Sequence, residues 1–375
     1  MKILILANSD SGLYQFRKEL IERLSENNEI LCGVPNSDGF IGKIERLGCR
    51  CKVTDLNRRG MNPLEDLRLL QFYIKLVKRF RPDVVFTYTI KPNVYGGIAC
   101  QLFNIPYLSN VTGMGTTIEN GGLLSVLTTT MYKIGLKKAS CVFFQNKDNY
   151  RFFVEKKIVY GKSRIIPGSG VNCTTHNIEP YPKTNDVFNF LFVGRVMKDK
   201  GIEELLLAIE ELHNEGKRVF LDVVGGCDED YTEMLLKYEE QGIVKYHGQQ
   251  INVHDFYARA LCVVLPSYHE GMANVMLESA STGRPVITTR IPGCQETFDE
   301  GVTGLGCNAK DVASLKSAMT KMYLMTFEQR EEMGLAGHKK VKNEFDRNIV
   351  VNAYIEEISA IKNTDEGVSQ NEESC

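Results

Sequence analysis

Short runs of consecutive apolar and β-branched residues recur along the chain, separated by longer stretches in which apolar positions return every three to four residues. In the first half the runs are Lys2 to Leu6, Glu29 to Val34, Val84 to Thr87 and Cys141 to Gln145. In the second half they are Phe188 to Val193, Val219 to Val224, Val244 to His247, Cys262 to Pro266 and Pro285 to Thr289. Uninterrupted apolar runs suit strands covered on both faces, and their alternation with helical periodicity reads as repeated βαβ units. The pattern predicts an α/β chain with two doubly wound parallel sheets. Residues 1–173 form one domain in this reading and residues 186–345 a second. Between them, residues 174–185 lack periodicity and carry Pro180 and Pro182, which reads as a linker. A helix over 346–362 is expected to pack back toward the first domain. Residues 363–375, almost without apolar side chains, are expected to be disordered.

Composition narrows the class. With 375 residues, 43% of them apolar, the chain can build two cores. Met1-Lys-Ile-Leu-Ile-Leu6 runs into Asn8-Ser-Asp10 too soon for a signal peptide and reads as the first strand. No segment approaches the ~20 apolar residues of a membrane span. Eleven cysteines stand mostly inside apolar runs, as small core residues of a reducing cytoplasm do. Cys49 and Cys51 lack a second Cys or His pair at finger spacing, so zinc is not expected.

Charge then divides the chain. The net charge is −2, yet residues 1–173 hold 25 Lys/Arg against 14 Asp/Glu, and residues 174–375 hold 20 against 33. A basic first half suggests an anionic surface or substrate. Two basic stretches, Arg58 to Arg81 and Lys133 to Arg164, mix cations with large apolar residues: Leu69-Leu70, Phe72-Tyr73 and Leu76-Val77 in one, Phe152-Phe153-Val154 and Ile158-Val159 in the other. Such mixtures suit helices lying on a membrane surface, and equally suit ordinary amphipathic helices on a core. No nucleic-acid module is present, so nucleic acid is not an expected partner.

Two strand-to-loop-to-helix segments carry candidate chemistry. Pro266-Ser-Tyr-His-Glu270-Gly271-Met272-Ala273-Asn274-Val275-Met-Leu-Glu278 follows a buried-strand run and enters a helix. Ligands of open α/β sheets bind at this end of a strand, where the first amides of a helix attract phosphate. Glu278, one turn beyond Asn274, is placed to accept hydrogen bonds from ribose hydroxyls. In Phe190-Leu-Phe-Val-Gly194-Arg195-Val-Met-Lys-Asp-Lys200-Gly201, a planar fork and a point charge, Arg195 and Lys200, stand ready to neutralise a diphosphate. Both loops are expected at one edge of the same sheet.

These segments, with Ala280-Ser-Thr-Gly-Arg-Pro-Val-Ile287, Gly293-Cys-Gln-Glu-Thr297 and Gly301-Val-Thr-Gly304, resemble the retaining glycosyltransferases of family 4. The resemblance spans nearly the full length and implies the GT-B fold, two Rossmann-like domains facing a central cleft. The first half resembles the subgroup acting on lipid-linked sugars in capsule, O-antigen and glycan assembly, through Thr89-Ile-Lys91-Pro-Asn93-Val-Tyr-Gly96, Asn110-Val-Thr112-Gly113-Met-Gly115 and Ile166-Pro-Gly-Ser-Gly-Val171. It implies that Arg195 and Lys200 hold a UDP diphosphate, Glu278 the ribose and Glu270 the donor sugar. Arg195, Lys200 and Glu270 are then the catalytic residues, and the amides of Gly271 to Val275, with Gly194 and Gly12, complete the donor site. Lys91, Asn93, Thr112 and Gly113 become acceptor-binding candidates. Where many members carry a histidine, this chain has Thr87-Tyr-Thr-Ile90, which leaves any histidine-assisted step without its residue.

The implied reaction is metal-independent transfer, with retention, of a hexose or N-acetylhexosamine to a polyprenyl-diphosphate-linked saccharide, by a cytoplasmic enzyme resting on the inner face of the cell membrane. No cofactor is expected. Protein cations replace a metal, and Asp228-Glu-Asp230, the nearest acidic run, reads as a helix cap or solvated turn. A UDP-sugar 2-epimerase or hydrolase of the same architecture, and a non-catalytic sugar-nucleotide-binding protein, remain as alternatives.

Overall fold

The computed structural model describes residues 1–54, 62–114, 118, 121–183, 187–227 and 230–372, with backbone alone over 364–372. It contains two compact units: Met1–Ser169 joined by the chain from Asn348 onward, and Gly170–Arg347.

The first unit is built on seven strands, β1 (Lys2–Leu6), β2 (Glu29–Val34), β3 (Arg50–Val53), β4 (Val84–Tyr88), β5 (Tyr107–Val111), β6 (Cys141–Phe144) and β7 (Ser163–Ile165). All pair in parallel, in the order β3-β2-β1-β4-β5-β6-β7. Helices α1 (Asp10–Ser25), α2 (Ile41–Glu45), α3 (Pro63–Phe80), α4 (Gly97–Leu102), α5 (Gly122–Leu136) and α6 (Lys147–Glu155) connect them. Strands β4, β5 and β6 are buried along their whole length, as their position inside the sheet requires.

The second unit holds β8 (Phe188–Val193), β9 (Val219–Val224), β10 (Val244–Tyr246), β11 (Cys262–Leu265), β12 (Val286–Thr289) and β13 (Gly304–Cys307) in the order β10-β9-β8-β11-β12-β13, again all parallel. Its helices are α7 (Ile202–Asn214), α8 (Thr232–Glu240), α9 (His254–Arg259), α10 (Asn274–Ser281), α11 (Val312–Leu324) and α12 (Phe327–Glu344). In each unit the strand order reverses beside the first strand, between β1 and β4 and between β8 and β11. Loops leaving the C-terminal ends of such neighbours open a crevice at the sheet edge.

Residues 174–183, read as a linker, pack onto the second unit. The fully buried guanidinium of Arg284 donates to the carbonyls of Glu179 (3.0 Å) and Pro180 (2.8 Å), and also to those of Tyr257 and Ala258. Buried Tyr181 donates its hydroxyl to Leu261 O at 2.6 Å. A planar cation with five donors is well matched by a ring of carbonyls, which explains why a polar, proline-containing segment packs down.

The last helix, α13 (Arg347–Glu372), follows the second unit. Its buried face belongs to the first unit. Tyr354 lies 4.4 Å from the Phe143 ring, 5.3 Å from Phe86 and 6.1 Å from Tyr88, centroid to centroid, and its hydroxyl accepts from Asn110 Nδ2 at 2.9 Å. The nearly buried carboxylate of Glu357 is held by Lys162 at 2.8 Å and Arg164 at 2.9 Å.

Candidate functional site

Parallel pairing of β8 with β11 sets Phe190 beside Cys262 and Leu191 beside Val263, so the loops after these strands leave the sheet side by side. They are then tied together. Tyr268 N donates to Asp199 O at 2.8 Å and Ser267 Oγ to the same carbonyl at 3.2 Å. Two glycines permit the closeness. Gly201 has φ 72°, and a Cβ there would lie 2.9 Å from the Pro266 carbonyl carbon and closer still to its oxygen. Gly293 has φ 86°, and a Cβ there would lie 2.8 Å from the Glu270 carbonyl carbon. Both dihedrals lie in the left-handed region that glycine enters without penalty.

The expected convergence is direct: Lys200 Nζ and Glu270 Oε1 form an ion pair, with side chains 18% and 14% exposed. Arg195 follows Gly194 at the end of β8 and is exposed at the same edge. Glu278 on α10 accepts a hydrogen bond from Tyr257 Oη at 2.8 Å, and Tyr257 itself is buried, which pushes its phenol well above the usual range. That hydroxyl fixes the carboxylate's rotamer. The sequence reading missed Tyr257, since nothing in its local pattern points toward a glutamate 21 residues away.

Fewer amides of this loop are free than expected. Ala273 N already donates to Gly293 O at 2.7 Å and Asn274 N to Met272 O at 2.9 Å, so these two amides are committed to the loop's own fold. The amides of Met272 and Val275 have no partner among the described residues. Met272 and Ala273 bury their side chains, and can meet a ligand only through the backbone. Asn274 contributes something unforeseen: its buried Oδ1 has no hydrogen-bond partner among the described residues.

The remaining candidates lie in the first unit, at the β1/β4 crevice and after β5. Gly12 N donates to Ser9 Oγ at 3.0 Å, so this glycine belongs to an ordinary helix N-cap. Lys91 pairs with Asp66 at 2.8 Å. Asn93, expected to contact acceptor, is instead fully buried: Oδ1 accepts from Thr87 Oγ1 at 2.7 Å and Nδ2 donates to Asn110 O at 2.9 Å. It holds β4 to β5, because the polar residues of these inner strands need partners. Thr112 and Gly113, half-buried, follow β5 at its C-terminal end. In the stretch where a histidine was missed, Thr87 and Tyr88 are internal, while Thr89 adopts φ 71° with its buried Oγ1 unpartnered among the described residues. A β-branched residue in that conformation stores strain.

Most of the apolar residues singled out in the two segments read as interfacial are buried, while Val154 is exposed. Leu69, Tyr73, Leu76 and Val77 of α3 and Phe153 of α6 are buried. A more exposed apolar face lies on α5, whose end overlaps the second stretch: Leu123 is 90% exposed and Leu124, Val126, Leu127 and Ile134 are open to solvent, with Lys137 and Lys138 exposed just beyond. Among the described residues no helix is long and apolar enough to cross a membrane.

Comparison with known proteins fits this architecture. Residues 2–146 match the family described as glycosyl transferase 4-like, and residues 187–324 the family described as glycosyl transferases group 1. The N,N'-diacetylbacillosaminyl-diphospho-undecaprenol alpha-1,3-N-acetylgalactosaminyltransferase of Campylobacter jejuni is 24% identical over 372 residues, covering 95% of this chain and 97% of its own. Sucrose-phosphate synthase from Thermosynechococcus elongatus superposes with a TM-score of 0.81 at 19% identity, over 96% of this chain and 100% of that one. Anabaena HepE in complex with UDP and glucose superposes with a TM-score of 0.77 at 16% identity, over 96% and 100%. With one glycosyltransferase family matched on each parallel-sheet unit and GT-B enzymes as structural neighbours, the chain belongs to the GT-B glycosyltransferases of family 4.

Proposed function

We propose that the chain transfers a hexose or N-acetylhexosamine from a UDP-sugar, with retention, to a polyprenyl-diphosphate-linked saccharide in bacterial surface glycan assembly. The observation that carries this reading is the Lys200–Glu270 pair at the β8/β11 crevice, with Arg195 exposed at the end of β8. An incoming diphosphate draws Lys200 off the carboxylate and joins Arg195 in balancing charge, and Glu270, released, accepts hydrogen bonds from the donor sugar's hydroxyls. Glu278, oriented by Tyr257, takes the ribose, and the Met272 and Val275 amides meet phosphate oxygens at the start of α10. The acceptor hydroxyl attacks from the face that UDP leaves, and a β-phosphate oxygen takes its proton. In this reading the two protein cations stand in place of a divalent ion.

The donor assignment is supported by the likeness to HepE, whose structure holds UDP and glucose, and the acceptor by the Campylobacter relative, whose name describes a diphospho-undecaprenol saccharide. The exposed apolar face of α5, followed by Lys137 and Lys138, suits docking on anionic lipid. The test is incubation with UDP-GalNAc, UDP-GlcNAc, UDP-Gal or UDP-Glc, with and without a polyprenyl-diphosphate sugar, reading UDP release and the anomer formed. Acceptor-dependent release with retained configuration supports transfer. An isomerised donor, hydrolysis without acceptor, or binding without turnover refutes it. Arg195→Ala and Lys200→Ala lower turnover ~10²-fold or more, and wild-type turnover in both overturns their roles. For the membrane surface, Leu123→Asp with Leu127→Asp abolishes co-sedimentation with anionic vesicles, and equal binding to neutral vesicles contradicts the charge argument.

A further inference from the structure

The parallel register of β2 and β3 sets Cys32 opposite Cys51, and Cys49 lies just ahead of β3. Their three sulfurs lie within 4.8 Å of one another, with Cys32 Sγ and Cys49 Sγ 3.8 Å apart. Among the described residues this is the one group of three metal-binding side chains so close. A zinc or copper ion bonded to thiolates at ~2.3 Å holds neighbouring sulfurs about 3.8–4 Å apart, so the cluster already has the dimensions of such a site. A disulfide requires sulfurs at ~2.05 Å, far inside the Cys32–Cys49 separation.

The surroundings suit an ion as well. Cys32 and Cys49 are buried among apolar side chains, while Cys51 is partly exposed and gives a route from solvent. Glu45 on α2 accepts from Cys51 N at 3.2 Å, which sets a carboxylate beside the cluster, and Cys49 Sγ is held toward Ile44 O at 3.2 Å. The Cys49 thiol donates in that contact, which is exchanged for the metal–sulfur bond when its proton leaves. No second pair stands at finger spacing, but sheet pairing brings one further thiol, Cys32, 17 residues upstream of Cys49, beside the two.

We propose that Cys32, Cys49 and Cys51 bind one thiophilic ion, Zn(II) or Cu(I), in a three-thiolate site. Binding forms three metal–sulfur bonds and releases three thiol protons to solvent, with no change of oxidation state. The site pins β3, the sheet's edge strand, to β2. It lies on the far side of β1 from β4 and does not depend on the proposed glycosyl transfer.

The test uses the full chain, stripped of metal under reductant and handled anaerobically. Zn²⁺ and Cu⁺ are added in separate arms, and bound metal is counted by mass spectrometry after gel filtration. Cd²⁺ serves as a spectroscopic probe, through its thiolate charge-transfer absorption. One ion per chain, with a raised melting temperature, is expected. Cys51→Ser, on the exposed edge, weakens binding by more than the ~10–100-fold that loss of an outer contact costs, and removes the metal-dependent melting shift. Cys227→Ser, at an exposed cysteine of the other unit, changes neither. Substoichiometric binding in both arms overturns the site, as does unchanged binding in a folded Cys51→Ser variant. A disulfide among the three sulfurs in place of bound metal overturns it too.

Discussion

Gly201→Ala tests whether backbone contact between the two second-unit loops sets the proposed donor crevice. At φ 72° the new residue meets the left-handed penalty of roughly 1–2 kcal/mol, and its Cβ arrives 2.9 Å from the Pro266 carbonyl carbon. Non-bonded carbons rest at about 3.5–4.0 Å, so this contact alone requires the loops to part by roughly 0.6–1.1 Å, and the nearer carbonyl oxygen requires at least as much. Overpacking of this kind costs a further ~1–3 kcal/mol. Gly216→Ala is the matched control: φ is 80°, but a Cβ there meets nothing within 4 Å, so it incurs the dihedral cost alone. For a unit of this size each kcal/mol lowers the melting temperature by ~2–4 °C. Gly216→Ala should therefore lose roughly 2–8 °C, and Gly201→Ala several degrees more. The second readout is UDP affinity by calorimetry together with turnover. A displacement near 1 Å in a positioning loop costs up to ~10²-fold in rate, and Gly216→Ala should leave both readouts intact. Equal melting losses for the two variants would refute the packing argument. An added melting loss at Gly201 with unchanged UDP affinity and turnover would show that the contact supports the fold without shaping the site.

Three further outcomes follow. Tyr257→Phe removes the hydroxyl that orients Glu278, and the loss of a net ~0.5–1.5 kcal/mol hydrogen bond should raise KM for the donor about 2–13-fold at nearly constant kcat, whereas a fall in kcat alone would contradict a binding role. Tyr354→Phe leaves buried Asn110 Nδ2 without its acceptor and should cost ~1–3 kcal/mol, while Tyr354→Ala should cost ~3–5 kcal/mol; chemical denaturation in which the two variants match would show that the ring contributes nothing. Buried Asp10 has its pKa raised by desolvation, but the Phe40 amide, the Ser37 hydroxyl and the Asp38 amide outweigh this and hold it below the usual carboxylate value. A depressed folded pKa gives stability that is present above about pH 4 and lost as pH falls further. Asp10→Asn should therefore be less stable at neutral pH and lose less on acidification, and parallel acid profiles would count against the reasoning.

The legible parts of this chain were those whose chemistry is local. A buried-strand run followed by a glycine and two cations places Arg195 and Lys200 at a sheet edge without knowledge of the rest, and the same holds for Glu270 and Glu278. What escaped was non-local. β5 went unread because Ser109 and Asn110 interrupt its apolar run, and the partners that let those residues be buried, Thr87, Asn93 and Tyr354, come from elsewhere in the chain. Asn93 was misassigned for the same reason: an asparagine beside a ligand and one satisfied inside a sheet have the same neighbours in sequence. The membrane-facing expectation went to the most basic amphipathic stretches, most of whose singled-out apolar residues are buried. α5, rich in threonine and with Lys133 its one charged residue, gave no amphipathic signal, yet its Leu123, Leu124 and Leu127 are exposed.

The Tyr354 anchor has a consequence for how the protein is made. The slot among Phe86, Tyr88 and Phe143 belongs to strands synthesised early, but the ring that fills it follows the whole of Gly170–Arg347. At ~5–20 residues per second, the ribosome takes roughly 9–36 s to cross that interval. The first sheet therefore spends this time with an open aromatic slot and with Lys162 and Arg164 lacking Glu357, while the second unit, contiguous in the chain, can close as it emerges. The order of completion is the reverse of the order of synthesis, and the nascent first unit is the stage at which chaperones have most to protect.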